Sequence, residues 1–88
     1  MKAIIEIYTW SHCRFSIQAK ALLDRKGLEY IEYSIDEDIK ARKALGKRAN
    51  GDIAIPQIFI NGQHIGGCNN LYILEEIGSL DELVNFSY

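Results

Sequence analysis

The chain has 88 residues, 48% of them hydrophobic and 25% charged, the balance of a small globular domain and not of a disordered segment. A net charge of −2 supplies no basic footprint for nucleic acid and no polybasic stretch for a membrane surface. The opening residues are apolar only until Glu6, too short for an export signal, and no apolar run approaches the roughly 18 residues of a membrane span.

One domain, residues 1–88, is therefore expected, with the cytosol as its compartment. In chain order, Ala3 to Tyr8 alternates Ile5 and Ile7 against Glu6 and Tyr8 and reads as a strand. Thr9 to His12 is turn-like. From Cys13 to Lys26, Phe15, Ala19, Leu22 and Leu23 follow helical spacing, and Gly27 stands where a helix stops. Leu28 to Ile35 reads as a second strand. Asp36 is placed to cap a second helix running to about Leu45, with Gly46 after it. Asn50-Gly51-Asp52 is a turn, and Ile53 to Ile60 is a third strand broken by Pro56. Asn61-Gly62 marks a two-residue hairpin leading to a strand at His64 to Gly66. Asn69 to Ile77 looks helical, and Ser79 with Glu82 makes a capping box for a last short helix.

The first two strands, joined by a helix, should run parallel; the hairpin adds antiparallel pairs. The expected fold class is α/β, a thioredoxin-like four-stranded mixed sheet with helices on both faces.

The chemistry centres on Cys13, which follows a strand and opens a helix. Unpaired N–H groups and the helix dipole favour an anion there, so a thiolate at this position has a lowered pKa. Arg14 adds a full positive charge one residue on. A free cysteine is commonly a small buried hydrophobe, but polar Ser11, His12 and Arg14 argue for exposure. A dithiol redox motif needs a second cysteine three residues on, and Ser16 stands there instead. Its hydroxyl either donates to the Cys13 thiolate or is a solvated helix serine.

Two further segments stand out. Ile55-Pro56 interrupts a strand, as an ordinary trans proline at a strand start or as a cis peptide that leaves backbone groups of Ile55 available to an extended peptide. Gly66-Gly67-Cys68-Asn69-Asn70 is either a plain strand-to-helix turn with its cap or a site where helix N–H groups hold a carboxylate. His12 and His64 lack the close paired spacing of structural zinc ligands, and no metal is expected. Trp10, just before the thiol, either shields it or simply packs.

Taken together these features resemble the glutaredoxin family over nearly the whole chain. The most specific segments are Ile7-Tyr8-Thr9 leading into Cys13-Arg14-Phe15-Ser16, then Ile55-Pro56-Gln57-Ile58-Phe59-Ile60, then His64-Ile65-Gly66-Gly67-Cys68. The resemblance implies a glutathione-dependent thiol–disulfide oxidoreductase that reduces glutathione mixed disulfides. Its nucleophile would be Cys13. Phe15 would line the groove and Ile55, before a cis Pro56, would pair by its backbone with glutathione. Gly67, Cys68, Asn69 and Asn70 would meet the γ-glutamyl end, and Arg14 completes the expected contacts.

Three departures qualify the match. Short members of the family usually carry Cys-Pro-Tyr-Cys or Cys-Pro-Phe-Cys, where this chain has Arg14 and Ser16. A lysine common ahead of the active site is Trp10 here. The usual Asp-Asp after the glycines is Asn69-Asn70, which retains the cap but loses negative charge. The pattern thus resembles in part the monothiol class, Cys-Gly-Phe-Ser, which often holds an iron–sulfur cluster with glutathione, though the longer insertion of that class is missing. A monothiol mechanism by a monomer, with glutathione as cofactor and glutathionylated or disulfide-bonded proteins as partners, is the first expectation. The alternative is a dimeric carrier of a 2Fe–2S cluster ligated by Cys13 and glutathione from each side.

Overall fold

A computed structural model describes residues 3–85. The elements are β1 (Ile5–Thr9), α1 (Arg14–Arg25), β2 (Ile31–Ser34), α2 (Ile39–Arg48), β3 (Gln57–Ile60), β4 (Gln63–Gly66), α3 (Cys68–Glu76) and α4 (Ser79–Asn85). They build one mixed sheet of four strands in the order β2-β1-β3-β4. β1 runs parallel to β2 with Tyr8 opposite Tyr33, and antiparallel to β3 with Ile7 opposite Ile58. The β3–β4 hairpin turns on Asn61 (φ 51°) and Gly62 (φ 81°), both in the left-handed region that this tight turn requires. This is the thioredoxin-like arrangement expected from the element order.

The alternation along β1 separates two cores. On one face Ile5, Ile7, Ile58 and Ile60 pack against Leu22 and Leu23 of α1, Leu71 of α3 and Leu80 of α4. On the other, Ile35, Leu45, Ala49 and Phe59 form a smaller cluster under α2. β3 lies inside both layers and every residue in it is buried, including the polar Gln57. β2 is an edge strand with all four residues exposed.

Several boundaries differ from the sequence reading. The second helix is capped by Asp38, whose carboxylate accepts from Ala41 N at 2.9 Å, and not by Asp36. Asp36 instead accepts from the backbone N–H of Ser11 at 2.7 Å and from its hydroxyl, tying down the loop ahead of Cys13. Gly46 does not stop this helix. It sits inside it because a Cβ there would lie 2.7 Å from Ile53 Cγ2. The helix ends a turn later, where Asn50 (φ 59°) and Gly51 (φ 89°) turn left-handed and Gly51 N donates to Gly46 O at 2.7 Å. The third strand starts at Gln57, since Pro56 has no N–H for a ladder; the Ile55–Pro56 peptide is cis.

Candidate active site

Cys13 occupies the N-cap of α1 in extended conformation (φ −89°, ψ 118°), and its carbonyl accepts the first helical bond from Ile17 N at 3.1 Å. A turn closed by Cys13 N donating to Trp10 O at 3.2 Å lifts the residue to the end of the sheet, where it is half-buried. Burial is the largest single influence on the thiol and pushes its pKa up. Hydrogen bonds from the Ser16 side chain and from the backbone N–H groups of Ser16 and Phe15 together outweigh it and hold the pKa below the ordinary value. The expected helix-terminus effect is thus present as specific donors. The Arg14 side chain is exposed and lines a separate hollow with His12, Ile17 and Gln18.

Ser16 is not a solvated helix serine. It is fully buried, and its Oγ accepts from Trp10 N at 3.3 Å. That contact uses a lone pair and leaves the hydroxyl proton for the Cys13 sulfur. When protonated, the thiol itself donates to Ile55 O at 3.7 Å. The sulfur therefore has an acceptor in one state and donors in the other.

Phe15, Ile55, Pro56, Gly67, Cys68, Asn69 and Asn70 line one hollow of about 230 Å³, together with Asp52, Ala54 and Gln57. Of the candidate residues named from sequence, only Arg14 and Cys13 fall outside that lining, and Cys13 meets it through Ile55 O. Phe15 is exposed at 51% and offers its ring to whatever enters. Gly67 comes close to the cis dipeptide: a Cβ there would lie 3.4 Å from Pro56 O. Gly66 has φ 115° and a Cβ on it would meet Asn70 Oδ1 at 2.7 Å, so only glycine fits. Asn70 Oδ1 accepts from Gly67 N at 3.2 Å, so the N-cap of α3 is Gly67 with Asn70 reaching back to it from the first turn, and both Asn69 and Asn70 are exposed. Cys68, though part of this lining, is buried in the larger core, and burial first, then the nearby Cys13 charge, push its pKa up.

Trp10 packs on the α2 side, with the Arg42 guanidinium 4.6 Å from its ring centroid. His64 is held by Gln57 Oε1 at 2.6 Å. Among the described residues no group of three or more His, Cys, Asp or Glu is placed to hold a metal ion, and no helix is long and apolar enough to cross a membrane. Sequence reasoning passed over Asp52, Ala54 and Gln57 as wall residues. Gln57 had one legible signal, a lone polar residue in the apolar run Ile55 to Ile60.

The arrangement equips a half-buried sulfur for nucleophilic attack beside a groove whose walls present free backbone and a helix N-terminus. The family model named Glutaredoxin matches residues 5–65. The protein named "Probable glutaredoxin" of Synechocystis sp. is 55% identical over 85 residues, spanning 97% of this chain and 97% of that one. The solution structure of glutaredoxin from Brucella melitensis superposes with a TM-score of 0.82 at 41% identity, covering 94% of this chain and 89% of that one. A buckwheat glutaredoxin–glutathione complex superposes with a TM-score of 0.84 at 25% identity, covering 92% and 76%. With its fold, its helix-capping thiol and these likenesses in agreement, the chain belongs to the glutaredoxin family, the thiol–disulfide oxidoreductases that use glutathione.

Proposed function

We propose that this protein reduces glutathione mixed disulfides by a monothiol mechanism, with Cys13 as its nucleophile. The Cys13 thiolate attacks the glutathionyl sulfur of a protein–glutathione disulfide. That S–S bond breaks, the protein sulfur leaves as a thiolate and takes a proton from water, and glutathione is now joined to Cys13. A second glutathione thiolate attacks the glutathionyl sulfur and releases the Cys13 thiolate with glutathione disulfide. The target sulfur is reduced and the sulfur of the second glutathione is oxidised, while the first glutathione sulfur stays at the disulfide level throughout.

The observation that carries this reading is the set of donors on Cys13: Ser16 Oγ and the N–H groups of Phe15 and Ser16. A depressed pKa makes this sulfur both an available nucleophile and a good leaving group in the second step. Support for glutathione as the ligand comes from the hollow. Phe15 supplies an apolar wall, the Ile55 backbone stands outside the β3 ladder, and the exposed Asn69 sits in the first turn of α3, where N–H groups suit a carboxylate. The buckwheat structure is a glutathione complex by its title, on the same fold.

The test is glutathione-dependent release of glutathione from a glutathionylated peptide, with the trapped intermediate examined by mass spectrometry. A single glutathione on Cys13 is expected. Modification confined to Cys68, or turnover surviving Cys13→Ser, refutes the assignment.

A further inference from the structure

Asp52, Ala54, Ile55 and Pro56 form one wall of the hollow, and the stretch 52–56 has no helix or strand of its own. A segment without a ladder is held by other bonds: Asp52 N donates to Ala49 O at 3.1 Å and Arg42 Nε to Ile53 O at 2.9 Å, and a bond to Ala54 O and one to the Asp52 carboxylate come from one buried residue, Gln57. Gln57 is fully buried at the first position of β3, paired in register with Tyr8. Its Nε2 donates to Ala54 O at 3.0 Å. The Asp52 carboxylate accepts from Ala54 N at 2.9 Å, and that bond first, then a bond from the Gln57 side chain, hold Asp52 below the ordinary carboxylate range.

Because the Gln57 amide nitrogen is committed to donation, its Oε1 is an acceptor. His64 Nε2, 2.6 Å away, must therefore be the donor and carry the proton. His64 is itself fixed. It lies on β4 opposite Phe59, with ring centroids 5.2 Å apart. The carboxamide thus joins three partners, two on the 52–56 segment and one on β4, and every polar atom of this buried side chain is used.

We infer that Gln57 and His64 are positioning residues, which lock the Asp52–Pro56 wall to the sheet so that the Ile55 backbone is presented to glutathione beside the Cys13 thiol. The inference rests on the glutathione reading above. It goes further in assigning groove affinity to the buried Gln57 at the edge of the hollow and to the half-buried His64 that holds it. The donors that tune Cys13 all lie on α1, so loosening the wall should weaken glutathione binding and leave the reactivity of the thiol in place.

Gln57→Met preserves shape and removes every polar atom. It is expected to raise KM for glutathione about tenfold, the scale of an orphaned buried hydrogen bond, with kcat nearly unchanged. His64→Phe should do the same, and His64→Gln should restore most of the loss, because a glutamine Nε2 can donate from a similar position. The rate of Cys13 alkylation by iodoacetamide should stay within about twofold of the parent in all three, since its donors are untouched. A parent protein whose turnover does not saturate with glutathione sinks the glutathione reading and the inference with it. A saturating parent with unchanged KM in Gln57→Met and His64→Phe overturns the inference alone, even where both variants melt earlier. So does a fall in kcat at constant KM, or a His64→Gln variant no better than His64→Phe. Should Gln57→Met fail to fold, the two His64 variants decide the matter by the same readouts.

Discussion

Ser16 Oγ accepts the backbone N–H of Trp10 and sits within hydrogen-bond reach of the Cys13 sulfur, joining the loop before the helix to the nucleophile at its cap. A cysteine at this position would make the common dithiol motif; serine retains the contact without offering a disulfide partner. Ser16→Ala removes the donor and leaves the burial that pushes the thiol up. The midpoint of alkylation rate against pH should therefore rise in the variant, while the parent midpoint lies below that of a free cysteine, about 8.5. A parent midpoint at or above the free value contradicts the electrostatics of the site.

Cys13→Ser should abolish glutathionyl transfer, because a serine hydroxyl is not ionised at neutral pH. Cys68→Ser should keep most of it, since that thiol is packed in the core and its pKa is pushed up. Peptide deglutathionylation measured for both variants checks this, and an inactive Cys68→Ser would reverse the assignment.

Asn69→Asp should tighten glutathione binding by up to about 1 kcal/mol, because a charged acceptor then faces the γ-glutamyl ammonium. Asn69 is exposed, so the gain should shrink with added salt. Asn70→Asp should gain less, as its Oδ1 already serves Gly67 N. Calorimetry at two ionic strengths measures both, and equal affinities throughout would mean that glutathione does not lie against this turn.

The Arg48 guanidinium grips Glu6 through two bonds, at 2.6 and 3.2 Å, and lies over the ring of the buried Phe59 at 3.9 Å from its centroid. The bond from Arg48 is the chief reason that the Glu6 carboxyl lies below its ordinary value of 4.5; burial opposes it, and Tyr33 adds a further donor. A carboxyl with a depressed folded pKa stabilises the fold above its unfolded value and loses that contribution as pH falls through the folded one. Glu6→Gln should thus cost about 1 kcal/mol at neutral pH, the upper end for a partly exposed pair, and the difference from the parent should vanish in acid. Urea unfolding at pH 7 and at pH 3 tests the sign, and a deficit that persists at the lower pH would place the effect in packing.

Absorption of freshly purified protein separates the two modes of using Cys13. A colourless monomer is expected for the transferase. A visible band that disappears with Cys13→Ser would instead support the dimeric 2Fe–2S carrier.

The order of elements was legible because each strand and helix carries its own period: alternation in Ile5 to Thr9, helical spacing in Ala19, Leu22 and Leu23, and Asn61-Gly62 for the hairpin. The nucleophile was legible for the same local reason, as a cysteine between a strand and a helix. The cap of α2 was missed because Asp36 and Asp38 are equally good local candidates, and the choice fell to Ser11, which is 25 residues away in sequence and claims Asp36. Gly46 misled in the same way, since its smallness serves Ile53 and not a helix end.

By itself, then, the sequence determined the fold class and the thiol at the helix cap, which follow from spacing along a few residues, and the family, which its three motif segments resemble. Only the tertiary structure decided that Ser16 is buried against Trp10 N, that Arg14 turns away from the hollow, and that Gln57 ties Ala54 to His64. Those relationships join residues through space across the sheet, and a buried polar side chain takes its role from partners that no local pattern names.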